Sequence, residues 1–124
     1  MVGGPFGTAM SEKSFTVESR ASAHPGQRVL RLTGRVNLET VPRFLQAVRN
    51  EQAPAVILDL SDVSYVDSGG VGALVQTYSS LRKADRRLAL VAPSSRVRAV
   101  LELTRGNKLI AVFPTVAEAE QLLG

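Results

Sequence analysis

Cysteine is absent from the 124 residues, which excludes disulfides and thiolate metal sites and fits a reducing cytosol. Histidine occurs once, as His24 in the turn-forming run His24, Pro25, Gly26 and Gln27. Without cysteine, and without an acid–base pair at a meaningful spacing, the case for an enzyme is weak. Aromatic residues make up 5%, too few for a base-stacking platform, so no direct nucleic-acid contact is expected. No run approaches the ~18 apolar residues of a membrane span, so no membrane insertion is expected. The N-terminal MVGGPFGTAM lacks a basic n-region and a continuous apolar h-region. It is expected to be a flexible tail over residues 1–13 rather than a signal peptide.

What is present suits one globular domain over residues 14–124. Hydrophobic residues are 44% and charged residues 21% of the chain. The net charge of +4 comes from 15 basic and 11 acidic residues. The basic residues are scattered, apart from a small cluster at Arg82, Lys83, Arg86 and Arg87. A solvated basic surface accounts for them, and an acidic protein partner is the second reading.

The apolar spacing predicts alternating strands and helices. Phe15, Val17 and Ser19 alternate with Thr16, Glu18 and Arg20, as in a half-exposed strand. The turn at His24–Gln27 should pair it antiparallel with a second strand over Val29–Thr33, which Gly34 breaks. Val41, Phe44, Leu45 and Val48 fall on one face of a helix, with Pro42 tolerated in its first turn. Val56–Leu60 is continuously apolar, as expected of a parallel strand buried on both faces. A loop over Ser61–Asp67 is expected next. A second helix follows, with Val71, Leu74, Val75, Tyr78 and Leu81 on its inner face and Gly72, Gln76, Ser79 and Lys83 on a small, polar outer face. Leu88–Ala92 is a further strand that Pro93 ends. Ser94 or Ser95 caps a helix whose inner stripe is Val97, Val100, Leu101 and Thr104, with Gly106 as its stop. Leu109–Phe113 should be the last strand, and Thr115 with Glu118 the capping box of a final helix. The expected fold is a single α/β domain: a mixed sheet of about five strands packed with about four helices.

The most informative stretch is VILDLSDVSYVDSGGVG, residues 56–72. It runs a strand into Asp67 and Ser68 and then into a glycine-rich helix start. Backbone N–H groups and the helix dipole favour an anion at such a place. Ser68 therefore reads either as a phosphorylatable switch or as a plain helix cap. A nucleotide loop is disfavoured, because Ala73 and Leu74 stand where a phosphate-binding loop needs lysine and a hydroxyl residue. Asp59, Asp62 and Asp67 could be imagined as metal ligands. Without a nearby histidine they read as turn and capping carboxylates, and no metal or cofactor is expected.

The stretch VILDLSDVSYVDSGGVGALV resembles the signature of STAS domains, above all the bacterial anti-sigma factor antagonists: an apolar strand, Asp-Ser-Ser/Thr-Gly, a hydrophobic residue and a glycine. The matching residues are Asp67, Ser68, Gly69, Gly70, Val71 and Gly72. LTGRVNLETVPRF and FPTVAEAEQLL resemble the family's first-helix approach and last strand-to-helix passage, so the likeness runs from Ser14 to Gly124. The resemblance implies that Ser68 is phosphorylated by an anti-sigma factor that is also a serine kinase of the histidine-kinase-like ATPase type. The unphosphorylated protein would bind that kinase and free the sigma factor. A metal-dependent serine phosphatase would reverse the modification, all in the cytoplasm. The implied partner surface is Asn37, Asp67, Ser68, Gly69, Gly70, Gly72, Gln76 and Ser79. Three positions depart from the family pattern. Gly69 stands where a second Ser or Thr is usual, Asn37 replaces a common Asp, and Arg105 replaces a common Gly after Thr104. The alternatives are a structural STAS subunit of a stressosome-like scaffold or lipid-transport complex and, less compatible with the residues, a nucleotide-binding protein.

Overall fold

The computed structural model describes residues 15–123; the expected tail over 1–13, Ser14 and Gly124 lie outside the described residues. Five strands form one sheet in the order β1-β2-β3-β4-β5: β1 (Phe15–Ala21), β2 (Gln27–Val36), β3 (Ala55–Val66), β4 (Arg87–Val91) and β5 (Ala111–Phe113). β1 and β2 are antiparallel, as the turn chemistry predicts. Gly26 supplies the turn's left-handed residue at φ +81, a conformation that costs glycine little. The pairings β2–β3, β3–β4 and β4–β5 are parallel. The crossovers carry α1 (Val41–Arg49), α2 (Ser68–Lys83), α3 (Ser95–Leu103) and a short α4 (Gly106–Leu109), and α5 (Val116–Leu123) closes the described chain.

Strand periodicity sorts the core into two layers. Val56, Leu58 and Leu60 of β3 join Phe44 and Val48 of α1, Leu74 and Leu81 of α2, and Val97 and Leu101 of α3. Ile57, Val29, Ala89 and Val91 point the other way, onto Ala119 and Leu123 of α5. Leu58, Leu60, Ile57 and Phe44 have no exposed surface, and each contributes on the order of 1.5–3 kcal/mol by leaving water.

Four expectations are corrected. The segment Ser61–Val66 is not a loop, because β3 continues through it. Two register shifts against β2 place extra residues on β3 there, so burial falls on Val63 and Val66 only. Gly34 does not break β2; it lies inside the strand at one of these shifts. The stop after α3 is Arg105 in the left-handed region at φ 62, not Gly106, which opens the unexpected α4. Leu109 and Ile110 consequently precede β5 rather than belonging to it. The capping expectations hold at two helices. Ser94 Oγ accepts from Val97 N–H at 3.2 Å, and Thr115 Oγ1 accepts from Glu118 N–H at 3.1 Å.

α5 is also tied to the β1–β2 turn. The Glu120 carboxylate accepts from Ser22 Oγ at 2.7 Å and from Ala23 N–H at 3.0 Å. Its backbone carbonyl accepts from Gln27 Nε2 at 3.0 Å. The Ala23 N–H, with the Ser22 hydroxyl behind it, holds the Glu120 carboxyl below the usual glutamate range. Among the described residues no helix is long and apolar enough to cross a membrane.

Candidate functional site: an unbonded serine at the start of α2

Parallel pairing brings the carboxyl ends of β2 and β3 together, with Val36 opposite Val66. Asn37 and Asp67 follow these two residues, so the loops leaving both strands meet at one edge. Open parallel sheets place their ligand sites at such edges. Asp67 N–H donates to the Val36 carbonyl at 3.2 Å, fixing the start of α2 against β2.

The helix cap is Asp67, not Ser68. Asp67 has extended backbone, its carboxylate accepts from Gly70 N–H at 2.8 Å, and its carbonyl accepts from Val71 N–H at 2.9 Å. This satisfies one of the orphan N–H groups at the helix start and turns the carboxylate back onto the helix. Ser68 becomes the first helical residue. It is exposed, and among the described residues its hydroxyl has no hydrogen-bond partner. The N–H groups of Ser68 and Gly69 are likewise left open.

The three glycines behave differently. A Cβ on Gly70 would stand 2.1 Å from the Val36 carbonyl oxygen, so only glycine lets α2 approach β2 this closely. Gly70 is buried and supports the site from beneath rather than facing outward. A Cβ on Gly69 would meet the Leu38 side chain at 2.7 Å. A Cβ on Gly72 would point into open space, with no contact within 4 Å outside its own helix backbone. Gly72, Gln76, Ser79 and Lys83 are all exposed, so the expected outer face of α2 exists and continues from Ser68.

Asn37 is half-buried beside this face. Its Oδ1 accepts from Thr40 N–H at 3.1 Å, and its own N–H donates to Thr40 Oγ1 at 3.0 Å. Thr40 Oγ1 donates in turn to the Arg35 carbonyl at 2.7 Å. The asparagine oxygen is thus committed to the turn before α1, which leaves its amide N–H groups as the outward chemistry.

The other candidates lie elsewhere. Asp59 accepts from Ser61 N–H at 3.0 Å, and Asp62 pairs with Arg31. Neither converges with Asp67. The basic cluster sits at the far end of α2, where Arg86 donates to the carbonyls of Ala53 at 2.9 Å and Glu51 at 2.8 Å. Sequence reasoning missed Leu38, a leucine that is 75% exposed and lies over Gly69. The available signal was an apolar residue with no helical or strand partner, standing directly after Asn37.

The arrangement contains a hydroxyl with nothing beside it to activate it as a nucleophile. It has open backbone N–H groups at a helix start, suited to hold an anion.

Comparison with known proteins agrees with this fold. The STAS domain family model matches residues 18–119. An anti-sigma-B factor antagonist of Listeria monocytogenes is 31% identical over 84 residues, 65% of this chain and 74% of that protein. A Thermotoga neapolitana relative is 34% identical over 64 residues, 52% of this chain, and the match spans only 57% of the relative's length. The crystal structure of an anti-sigma factor antagonist from Mycobacterium paratuberculosis superposes with a TM-score of 0.79 at 28% identity, covering 89% of this chain and 94% of that one. The chain belongs to the STAS domain family.

Proposed function

We propose that this protein is an anti-sigma factor antagonist, a regulatory binding module rather than an enzyme, whose partner binding is switched at Ser68. The carrying observation is that the Ser68 hydroxyl is exposed and unbonded while its neighbour Asp67 performs the capping. A plain capping serine would have its oxygen engaged by the helix.

In the proposed cycle the unphosphorylated protein docks on an anti-sigma factor kinase of the histidine-kinase-like ATPase fold, in the cytoplasm, and the sigma factor is released. The docking surface is Ser68, Gly69, Gly72, Gln76 and Ser79, flanked by Asn37 and Asp67. The kinase moves the γ-phosphoryl group of ATP to Ser68 Oγ. The O–P bond forms, the bond to ADP breaks, and the hydroxyl proton is lost. The product carries close to two negative charges beside Asp67. The open N–H groups at the helix start ease that charge in water, but covering it with a partner would strip its solvation at high cost. A serine phosphatase returns the hydroxyl by hydrolysis.

The test uses wild type and Ser68→Asp as parallel baits in native lysate, followed by incubation of the captured protein with ATP. Wild type should capture an ATPase of this fold and gain one phosphoryl group at Ser68, and Ser68→Asp should release it. Equal capture of scaffold or transporter subunits by both baits would overturn the switch and leave a structural STAS subunit.

A further inference from the structure

Leu38 stands in solvent beside the start of α2. It is 75% exposed, in the turn between β2 and α1. Other large apolar residues are also exposed, Leu103 and Leu122 among them, and Leu38 is the one that lies against Gly69. A Cβ at Gly69 would lie 2.7 Å from Leu38 Cδ2 and 2.9 Å from its Cγ. Leu38 can occupy its present position only because residue 69 has no side chain. The contact spans residues at the ends of two different strands and adds nothing to the buried core.

An exposed leucine that touches Gly69 lies one residue from the Ser68 hydroxyl. Any enzyme that brings a phosphoryl donor in line with that hydroxyl must cover the surface around it. Leu38 is therefore inside the footprint of the kinase. Burying an exposed leucine in a partner pocket removes a large apolar side chain from water and so favours the complex.

We propose that Leu38 is an apolar anchor by which the kinase recognises this protein, and that Gly69 is small so as to seat it. The matching feature on the kinase is an apolar pocket beside its phosphoryl-transfer site. This inference rests on the switch reading above and adds a determinant of which kinase is chosen. Once Ser68 is phosphorylated, the same anchor would have to enter its pocket beside a dianion. One contact thereby distinguishes the two states of the switch.

Two variants disturb the anchor by independent routes. Leu38→Ala removes it. Gly69→Ala displaces it, because the new Cβ would stand 2.7 Å from Leu38 Cδ2 and 2.9 Å from its Cγ, on an exposed side chain that can turn aside. It would also stand 3.3 Å from Asp67 Oδ1, which must give by a few tenths of an ångström, while alanine favours the helix. Both retain the Ser68 hydroxyl and should keep the wild-type melting temperature or exceed it. The probe is the ATPase captured by wild type and released by Ser68→Asp, purified and titrated calorimetrically against wild type, each single variant and the double variant.

Leu38→Ala should weaken binding by about thirtyfold, and Gly69→Ala by about tenfold. The double variant should bind within about threefold of Leu38→Ala alone, because a displaced anchor and a missing one are the same loss. Binding by Leu38→Ala within about twofold of wild type would overturn the anchor while leaving the switch standing. Additive losses in the double variant would overturn the role given to Gly69. If no such ATPase is captured, or Ser68→Asp keeps it, the switch reading falls first and this inference falls with it.

Discussion

Ser22 and Ser68 both stand near carboxylates, and they are used in opposite ways. At the β1–β2 turn, the Ser22 hydroxyl donates to the buried Glu120 carboxylate, and the pair fastens α5 to the hairpin. At the start of α2, the Asp67 carboxylate turns away from Ser68 and caps Gly70 N–H instead. The first hydroxyl is consumed by structure; the second is left without a partner among the described residues. The lesson concerns what makes a surface serine available. Residue type and a neighbouring acid are common to both places, and the difference lies in which backbone donor the acid has been given. The two places can be perturbed separately, because one holds the last helix and the other the end of the β2–β3 pair.

The largest expected effect is at the open end. In Gly70→Ala the new Cβ would meet the Val36 carbonyl oxygen, a backbone atom that cannot rotate aside. Either α2 lifts from the sheet or the end of β2 shifts, and the variant should lose about 3 kcal/mol of stability. Urea denaturation measures it. A loss under about 1 kcal/mol would mean that the start of α2 is not fixed by this approach, and that the capping geometry of Asp67 is softer than described.

At the closed end, Glu120→Ala removes the acceptor of the Ala23 N–H and leaves the Ser22 hydroxyl only Gln27 Oε1, 3.1 Å away. It should cost about 1.5 kcal/mol without altering partner binding. The same carboxylate gives the comparison a pH axis. Its folded-state pKa is lowered by the Ala23 N–H and the Ser22 hydroxyl. Its stabilisation is therefore present above the unfolded value of about 4.3 and is lost as pH falls through the lower folded value. The gap in stability between wild type and Glu120→Ala should hold from neutral pH down to about 5 and close below about 4. A gap that widened on acidification would show that the carboxylate is not the acceptor.

Most of this architecture was legible because periodicity carries it. Val56–Leu60 reads as a two-faced strand, and both core layers prove to use it. The Ser68 motif, read from its strand-glycine-helix grammar, placed the serine at the helix start, although the cap itself belongs to its neighbour. The failures have local causes. Bulges on β3 replace a two-residue alternation with burial at Leu60, Val63 and Val66, which reads as a loop. Arg105 takes the left-handed position at φ 62 that composition assigns to the adjacent Gly106, and α4 appears in the space of one expected stop. Leu38 was visible in the sequence only as an unpartnered apolar residue after Asn37, because its contact with Gly69 depends on a missing side chain across a strand boundary. No pattern within a single element reports that contact.

The smallest expected effect sharpens the comparison most, because stability and function should move in opposite directions. Gly72 lies in α2 with open space where a Cβ would be, and its face continues from Ser68. Glycine inside a helix costs about 0.5–1 kcal/mol relative to alanine, and no close approach here requires it, in contrast to Gly70. Gly72→Ala should therefore stabilise the fold by up to about 1 kcal/mol, read as a raised urea midpoint. If the outer face of α2 is the docking surface, the added methyl group meets the partner instead, and affinity for the captured kinase should fall. A variant that is more stable and binds as wild type does would place the kinase elsewhere on the domain. A variant that is more stable and binds more weakly would explain why a helix keeps a glycine that its own packing does not need.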